Sequence, residues 1–237
     1  MDNPAEAMQR RHTVRSFDEE LADLAGQIVQ MGAYAEQQIA QALKALIDRD
    51  EDLALQVIER DQIVDRFEEA IDQQAIKMLA TRQPMAVDLR VISMSLKISN
   101  DLERIADYAK GMAKRARRLN LSPQLKPLAT IPRMVELCQA MLKDVLDAFI
   151  TRDADKAMEV WHRDEAVDDL YDSLFRELVT FILEDPRTTS TAIDLLFIAK
   201  NIERIGDHTT NIAEKIHYMV HGVQINRPRA SGELDDQ

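Results

Sequence analysis

Ile198-Ala-Lys-Asn-Ile-Glu-Arg-Ile-Gly-Asp207 has a twin one hundred residues earlier, Ile98-Ser-Asn-Asp-Leu-Glu-Arg-Ile-Ala-Asp107. Both carry Glu-Arg-Ile-small-Asp in the same register, and a repeat of this kind means two copies of one structural unit. Each copy sets a glutamate and an aspartate four residues apart, so on a helix the two carboxylates point the same way. The match extends outward. Val160-Trp-His-Arg-Asp-Glu-Ala-Val-Asp168 aligns with Val57-Ile-Glu-Arg-Asp-Gln-Ile-Val-Asp65, Ile150-Thr-Arg-Asp153 with Ile47-Asp-Arg-Asp50, and Pro186 with Pro84.

Apolar periodicity turns the repeat into helices. Leu21, Leu24, Ile28, Met31, Ala35, Ile39, Ala42 and Leu46 recur at three- and four-residue steps, and Ser16-Phe-Asp-Glu19 in front of them reads as a capping box, giving a helix over 18–48. A second helix is expected over 52–81, closed by Thr81-Arg-Gln-Pro84, and a third over 85–119 with Pro84 at its first position. Residues 120–132 hold Pro123, Pro127 and Pro132 without apolar period and read as the link between halves. Met134, Leu137, Met141, Val145 and Phe149 then mark a shorter fourth helix; a fifth ends at Glu184-Asp-Pro186, and a sixth spans 187–221. The expected fold is all-α, six antiparallel helices in two pseudo-symmetric three-helix bundles over 16–120 and 131–222, with flexible tails at 1–15 and 227–237.

Composition agrees. The 237 residues include only 6 Gly and 7 Pro, and no run has the alternation and turn signals of a strand. The net charge of −12 argues against nucleic acid and against charge-held binding to anionic lipid, and favours cations or basic protein surfaces as partners. Cys138 is alone, which fits a reducing compartment. The first residues lack the apolar core of a signal peptide, and no run reaches the ~20 apolar residues of a membrane span, so a soluble cytoplasmic protein is expected.

Four acid-x-x-x-Asp pairs carry the candidate chemistry: Asp61/Asp65, Glu103/Asp107, Asp164/Asp168 and Glu203/Asp207. If the second and third helices of each half are neighbours, each half gathers four carboxylates, an oxygen-rich set suited to hard or borderline divalent cations and to iron. Glu103 and Asp107 fall opposite the Ile98/Leu102/Ile105/Ala109 stripe, and Glu203 and Asp207 opposite Ile198/Ile202/Ile205/Ile212, the place of a solvated face. Asp61/Asp65 and Asp164/Asp168 fall nearer the apolar arc and need a partner, an arginine (Arg90, Arg104 or Arg204) or a metal. Arg104 and Arg204 either meet an anionic partner group or form surface salt bridges. Lys114, Arg115, Arg117 and Arg118 suit the negative end of the third helix, or form a docking patch for an acidic partner or phosphate.

Glu159-x-x-His162 and Glu214-x-x-His217 have the spacing of di-iron carboxylate bundles, which makes a metal-carboxylate enzyme or metal store the rival reading. Against it, neither histidine recurs in the first half, where Glu59 and Arg117 stand, and both lie off the apolar stripes. No Gly-rich phosphate loop, zinc-type Cys/His spacing or Ser-His-Asp arrangement is present, so no catalytic residue is nominated.

The doubled Glu-Arg-Ile-small-Asp, with Arg82-Gln-Pro84, Asp88-Leu-Arg90, Asp144-Val-Leu-Asp-Ala-Phe149 and Glu184-Asp-Pro-Arg-Thr188, resembles the PhoU family of phosphate-signalling regulators over residues 16–225. The resemblance implies a non-enzymatic, cytoplasmic, often dimeric protein, peripheral to the inner membrane through its partners and not inserted in it. Those partners are the ATPase subunit of the Pst phosphate transporter and a PhoR-type sensor kinase, and the role is repression of the phosphate-starvation regulon and restraint of uptake when phosphate is ample. It implies multinuclear iron or zinc in some members and no metal in others, carried here by Asp61, Asp65, Glu103, Asp107, Asp164, Asp168, Glu203 and Asp207; magnesium or manganese suits the same donors. Arg104 and Arg204 are the partner-binding candidates. Ala106 departs from Gly206, but both are small enough for close approach.

Overall fold

Leu24, Ile28, Met31, Ala35, Ile39 and Ala42 form a fully buried stripe along α1 (Pro4–Asp48). The computed structural model describes residues 4–122 and 129–225, with side chains from residue 16 onward. After α1 come α2 (Glu51–Arg82) and α3 (Ala86–Leu119), then α4 (Thr130–Thr151), α5 (Ala154–Trp161), α6 (Asp164–Glu184), a 3-10 turn (Pro186–Thr188) and α7 (Thr189–His221). No strand occurs among the described residues.

The corners repeat as the sequence does. Arg49 and Arg152 end α1 and α4 in the left-handed region, at φ 55° and 54°. Asp50 and Asp153 follow with extended backbone and accept from Leu53 N and Lys156 N at 2.9 Å, the N-cap arrangement. Arg49 also reaches across its unit: Nη2 lies 2.7–2.9 Å from the carbonyls of Leu119, Asn120 and Ser122, satisfying the open end of α3.

α1, α2 and α3 pack on one another, and α4, α5 and α6 pack around α7. The two groups meet chiefly through α3 and α7. Arg90 Nε donates to Met219 O at 3.2 Å, His208 Nδ1 lies 3.0 Å from Asp101, and Arg115 bonds Asp194 at 3.0 Å, so the register runs antiparallel. Asp101 and Asp194 are buried and fully engaged, Asp101 with His208 and Lys215, Asp194 with Arg115 and Arg118. A smaller contact joins α1 to α4, where Gly32 lets Leu146 come so close that a Cβ would sit 2.5 Å from its Cδ1.

Four expectations need correction. Residues 4–15, read as a loose arm, are the first turns of α1; Pro4 suits a first helical position, and Ala, Glu, Met, Gln and Arg sustain a helix without an apolar stripe. Ser16 is therefore inside a helix and caps nothing; its Oγ accepts from Arg82 Nη2 at 2.8 Å. Pro84 precedes α3 rather than opening it, because Gln83 and Ala86 take φ 48° and 46° to turn the corner. The fifth helix is broken at His162-Arg163, with no proline or glycine to mark the spot. There Arg163 reaches back to Asp144 at 2.6 Å and Trp161 Nε1 donates to Glu214 at 2.9 Å. The tail at 227–237 and residues 1–3 lie outside the described residues.

Candidate functional site

In the first unit α2 and α3 bring Asp61, Glu103 and Asp107 to one face. Asp61 is 5% exposed and bonds the Lys110 ammonium, which also lies 3.2 Å from Asp107. The bond to Asp61 raises Lys110 above the usual lysine range. Burial pushes Asp61 upward, against the pull of Lys110 and helped by the neighbouring charges of Asp107 and Asp65. Glu103, its side chain 18% exposed, is pushed up to about 7, chiefly by burial and then by Asp107, with Arg104 opposing. Asp65 is exposed on the outer side of α2. One turn beyond Glu103, Asn100 Nδ2 donates to Glu68 at 3.4 Å.

The second unit repeats the acids with different counter-charges. Burial, then the charges of Glu203 and Asp207, push Asp168 up to about 6. Lys200, on the same helix face, donates to Glu203 Oε1 at 2.6 Å and sits 5.3 Å above the Tyr171 ring, a cation–π distance. The Glu203 side chain is 13% exposed, and its Oε2 is buried with no hydrogen-bond partner. Asp164 opens α6, and a Cβ on Gly206 would lie 3.1 Å from its Oδ1, so the glycine admits α6 at that point. Lys110 and Lys200 do not correspond: the repeat puts Thr210 and Asn100 at their counterparts.

A further correction concerns the glutamates. Glu103 and Glu203 were placed opposite the apolar stripes, yet both are largely covered, because α3 and α7 are central helices with neighbours on several sides: α2 closes over Glu103 and α6 over Glu203. Asp61 takes a lysine rather than one of the named arginines. Arg104 and Arg204 are half exposed and sit 3.5–4.0 Å from the acids of their own motifs, the surface salt-bridge reading. The basic end of α3 braces rather than merely meeting the helix dipole: Arg115 and Arg118 hold Asp194, and Arg117 holds Glu51. The two Glu-x-x-His units do not converge, since Glu159, His162 and His217 are exposed or at the rim and Glu214 takes the Trp161 indole. Lys110 and Lys200 were missed, although each stands three residues from a motif acid, a spacing legible in advance.

For a metal, the donors differ in readiness. In the second unit, all-oxygen donors and a buried Glu203 Oε2 that takes no hydrogen bond, with Arg204 Nε 4.0 Å away, suit a hard or borderline cation. In the first unit the Lys110 ammonium takes the place between Asp61 and Asp107 that a cation would occupy. Among the described residues no three acidic, imidazole or thiol side chains converge closely enough to hold an ion without adjustment.

No described helix is long and apolar enough to cross a membrane. A family model described as PhoU domain matches residues 28–116 and again 131–216, the two repeats. The chain is 47% identical over 219 residues to a phosphate-specific transport system accessory protein PhoU homolog of Caulobacter vibrioides, covering 92% of this chain and 95% of that protein. It is 46% identical to the homolog of Rhizobium meliloti, over 97% and 96% of the two chains. The crystal structure of PhoU from Pseudomonas aeruginosa superposes with a TM-score of 0.84 at 40% identity, covering 87% of this chain and all of that one. That of the phosphate transport system regulatory protein PhoU from Streptococcus pneumoniae gives 0.83 at 28% identity, over 89% of this chain. Two matched repeats, near-full-length similarity and a shared fold agree: the chain belongs to the PhoU family.

Proposed function

We propose that this chain is an accessory and regulatory protein of phosphate-specific transport, acting as a non-enzymatic adaptor. In this reading it sits in the cytoplasm against the ATPase subunit of the transporter, and the transporter's state changes how it meets a PhoR-type sensor kinase, biasing the kinase toward its phosphatase mode. Ample phosphate then keeps the starvation regulon off and uptake restrained. The observation that carries the reading is the duplicated acid cluster, built once on α2 and α3 and again on α6 and α7, with Asp107 and Asp207 partly exposed at its rim. A surface of this kind selects basic partners and accelerates their encounter.

Iron or zinc is the cofactor proposed for the second unit. Asp164, Asp168, Glu203 and Asp207 would hold it, and the ion would supply charge neutralisation and a fixed geometry for a partner face. As a homodimer, the chain would present the acid faces of two copies.

The test is a phosphate-regulated reporter in a strain lacking the protein, grown with ample phosphate. High output, reversed by the intact gene, is the expected result. Replacing Glu203, Asp207, Glu103 and Asp107 together by alanine is expected to leave output high while circular dichroism shows an intact helical fold. Normal repression by that variant would remove the acid face from the mechanism.

A further inference from the structure

We propose that the outer groove between α6 and α7 is a docking surface for a basic amphipathic helix of a partner protein. The inference deepens the accessory role in one respect, by naming the kind of segment that role would recognise.

Along α6, Asp168, Tyr171, Phe175 and Val179 recur at three- and four-residue steps and share one side. That side faces α7, since Asp168 feels the charges of Glu203 and Asp207 and Tyr171 lies under Lys200. The helices are antiparallel, joined through the Pro186–Thr188 turn. Phe175 and Val179 therefore lie one and two turns from Tyr171 toward the hairpin, level with Phe197 and Ile193, which precede Lys200 by about one and two turns. Phe175, Val179, Ile193 and Phe197 are 38–48% exposed, Phe197 with the Arg115 guanidinium of α3 lying 3.9 Å from its ring centroid, and Leu183 extends the run at 78%. Scattered apolar side chains on a surface are ordinary, but a set gathered on one face of one hairpin marks an interaction site.

The fold does not need them. The repeat places Asp72, Ile76 and Ala80 in the first unit where the second has Phe175, Val179 and Leu183, and Ser93 and Lys97 where it has Ile193 and Phe197. The duplication kept the helices and the acids, but of these five positions only Ile76 is large and apolar in the first unit, whose exposed Met85, Val87 and Leu89 lie at or just after its hairpin corner.

Charge names the occupant. α6 carries seven acidic residues against one basic, Arg176. The Asp168/Glu203/Asp207 cluster lies about 10 Å along the groove from the apolar set, two helical turns. Lys200 is already held by Glu203 and leaves that end negative. A helix with apolar side chains at i and i+4, and lysines or arginines two turns further on, matches both ends. A second copy of this groove would bring acid to acid or leave its own acid end unmatched, and anionic lipid would be repelled.

The experiment measures fluorescence anisotropy of labelled 18-residue helices, with leucines at i/i+4 and arginines at one end in several registers, against the full-length protein. It requires neither transporter nor kinase, so it can fail while the reporter result stands, and the reverse. Saturable binding at micromolar concentration is expected for at least one register. Val179→Asp with Ile193→Asp is expected to weaken it at least tenfold, and Asp168→Asn with Asp207→Asn to weaken it several-fold and flatten its salt dependence. Ile76→Asp with Asp65→Asn, on exposed positions of the first unit, should leave it unchanged; circular dichroism confirms folding throughout. Absence of binding across the registers, equal binding of a shuffled peptide of the same charge, or equal loss from the first-unit changes overturns the proposal. So does a dimer that Val179→Asp with Ile193→Asp converts to monomer in sedimentation, or phosphatidylserine vesicle binding abolished by that pair.

Discussion

The two acid faces share a motif and differ in what neutralises it. In the first unit Lys110 comes from the turn after Asp107 and bonds Asp61 across to α2; in the second, Lys200 comes from the turn before Glu203 and stays on its own helix, lying over Tyr171. The pair that tops each face has changed in step: Asn100 with Glu68 in one unit, Lys200 with Tyr171 in the other. The duplicated acids mark a common geometry, while the unduplicated lysines decide whether a face is internally satisfied or still short of positive charge. The first unit is closed by an internal cation; the second keeps a buried carboxylate oxygen without a hydrogen bond.

The sharpest way to break this comparison is to delete each lysine. Lys110→Met leaves Asp61 buried without its cation and is expected to cost about 2–3 kcal/mol in chemical denaturation, largely recovered by adding Asp61→Asn. Lys200→Met, at a more exposed site, is expected to cost less than about 1 kcal/mol. Equal losses would mean that the two faces are electrostatically alike after all.

Next in size is the pH response. Folded Glu103 titrates at about 7 against an ordinary 4.5, so the fold favours its protonated form. That contribution is complete below the ordinary value and is lost as pH rises through about 7. Glu103→Gln is therefore expected to flatten the fall in stability between pH 5 and 8 by on the order of 1–2 kcal/mol, read from denaturation curves at each pH. Asp168→Asn should act the same way over a lower window, ending near 6. A stability that climbs with pH in wild type would contradict both.

Swapping the counter-charge sharpens the comparison from the cation's side. Lys110→Thr copies Thr210 into the first unit and is expected to add a Zn²⁺ site, or strengthen a weak one about tenfold, in titration calorimetry. An unchanged isotherm would show that the lysine does not exclude the ion. The smallest effect belongs to the motif arginines: Arg104→Ala and Arg204→Ala are each expected to shift stability by less than about 0.5 kcal/mol. A larger thermal shift for either would show a role beyond its exposed salt bridges.

The helices were legible because α1 and α4 write their single buried face as a clear three-four stripe, and the two repeats check each other at Asp50/Asp153 and Arg49/Arg152. α3 and α7 were harder. Each is covered on several sides, so Glu103 and Glu203 looked solvated on a one-stripe helical wheel and are not. Asp101 and Asp194, the buried acids between the units, escaped notice because the repeat does not conserve their type: Asn201 and Met94 stand at their counterparts. Their partners lie 76–114 residues away, a separation that no local pattern encodes. The break before Asp164 had no sequence marker either, being drawn by side chains of α4 and α7.

The clasp of Arg49 on the end of α3 also bears on the order in which the chain is made. By Ser122 the ribosome has delivered every group that the clasp joins, so the first unit can close while the second is still unmade. Yet Ile98, Leu102, Ile105 and Ala109 belong to an α3 that in the finished protein also packs against α7, and Asp101 waits for His208 and Lys215. Through almost a hundred further residues of synthesis, a nascent three-helix unit would carry an uncovered side and an uncompensated carboxylate. The seam between the units is thus the last part of this protein to become safe from aggregation.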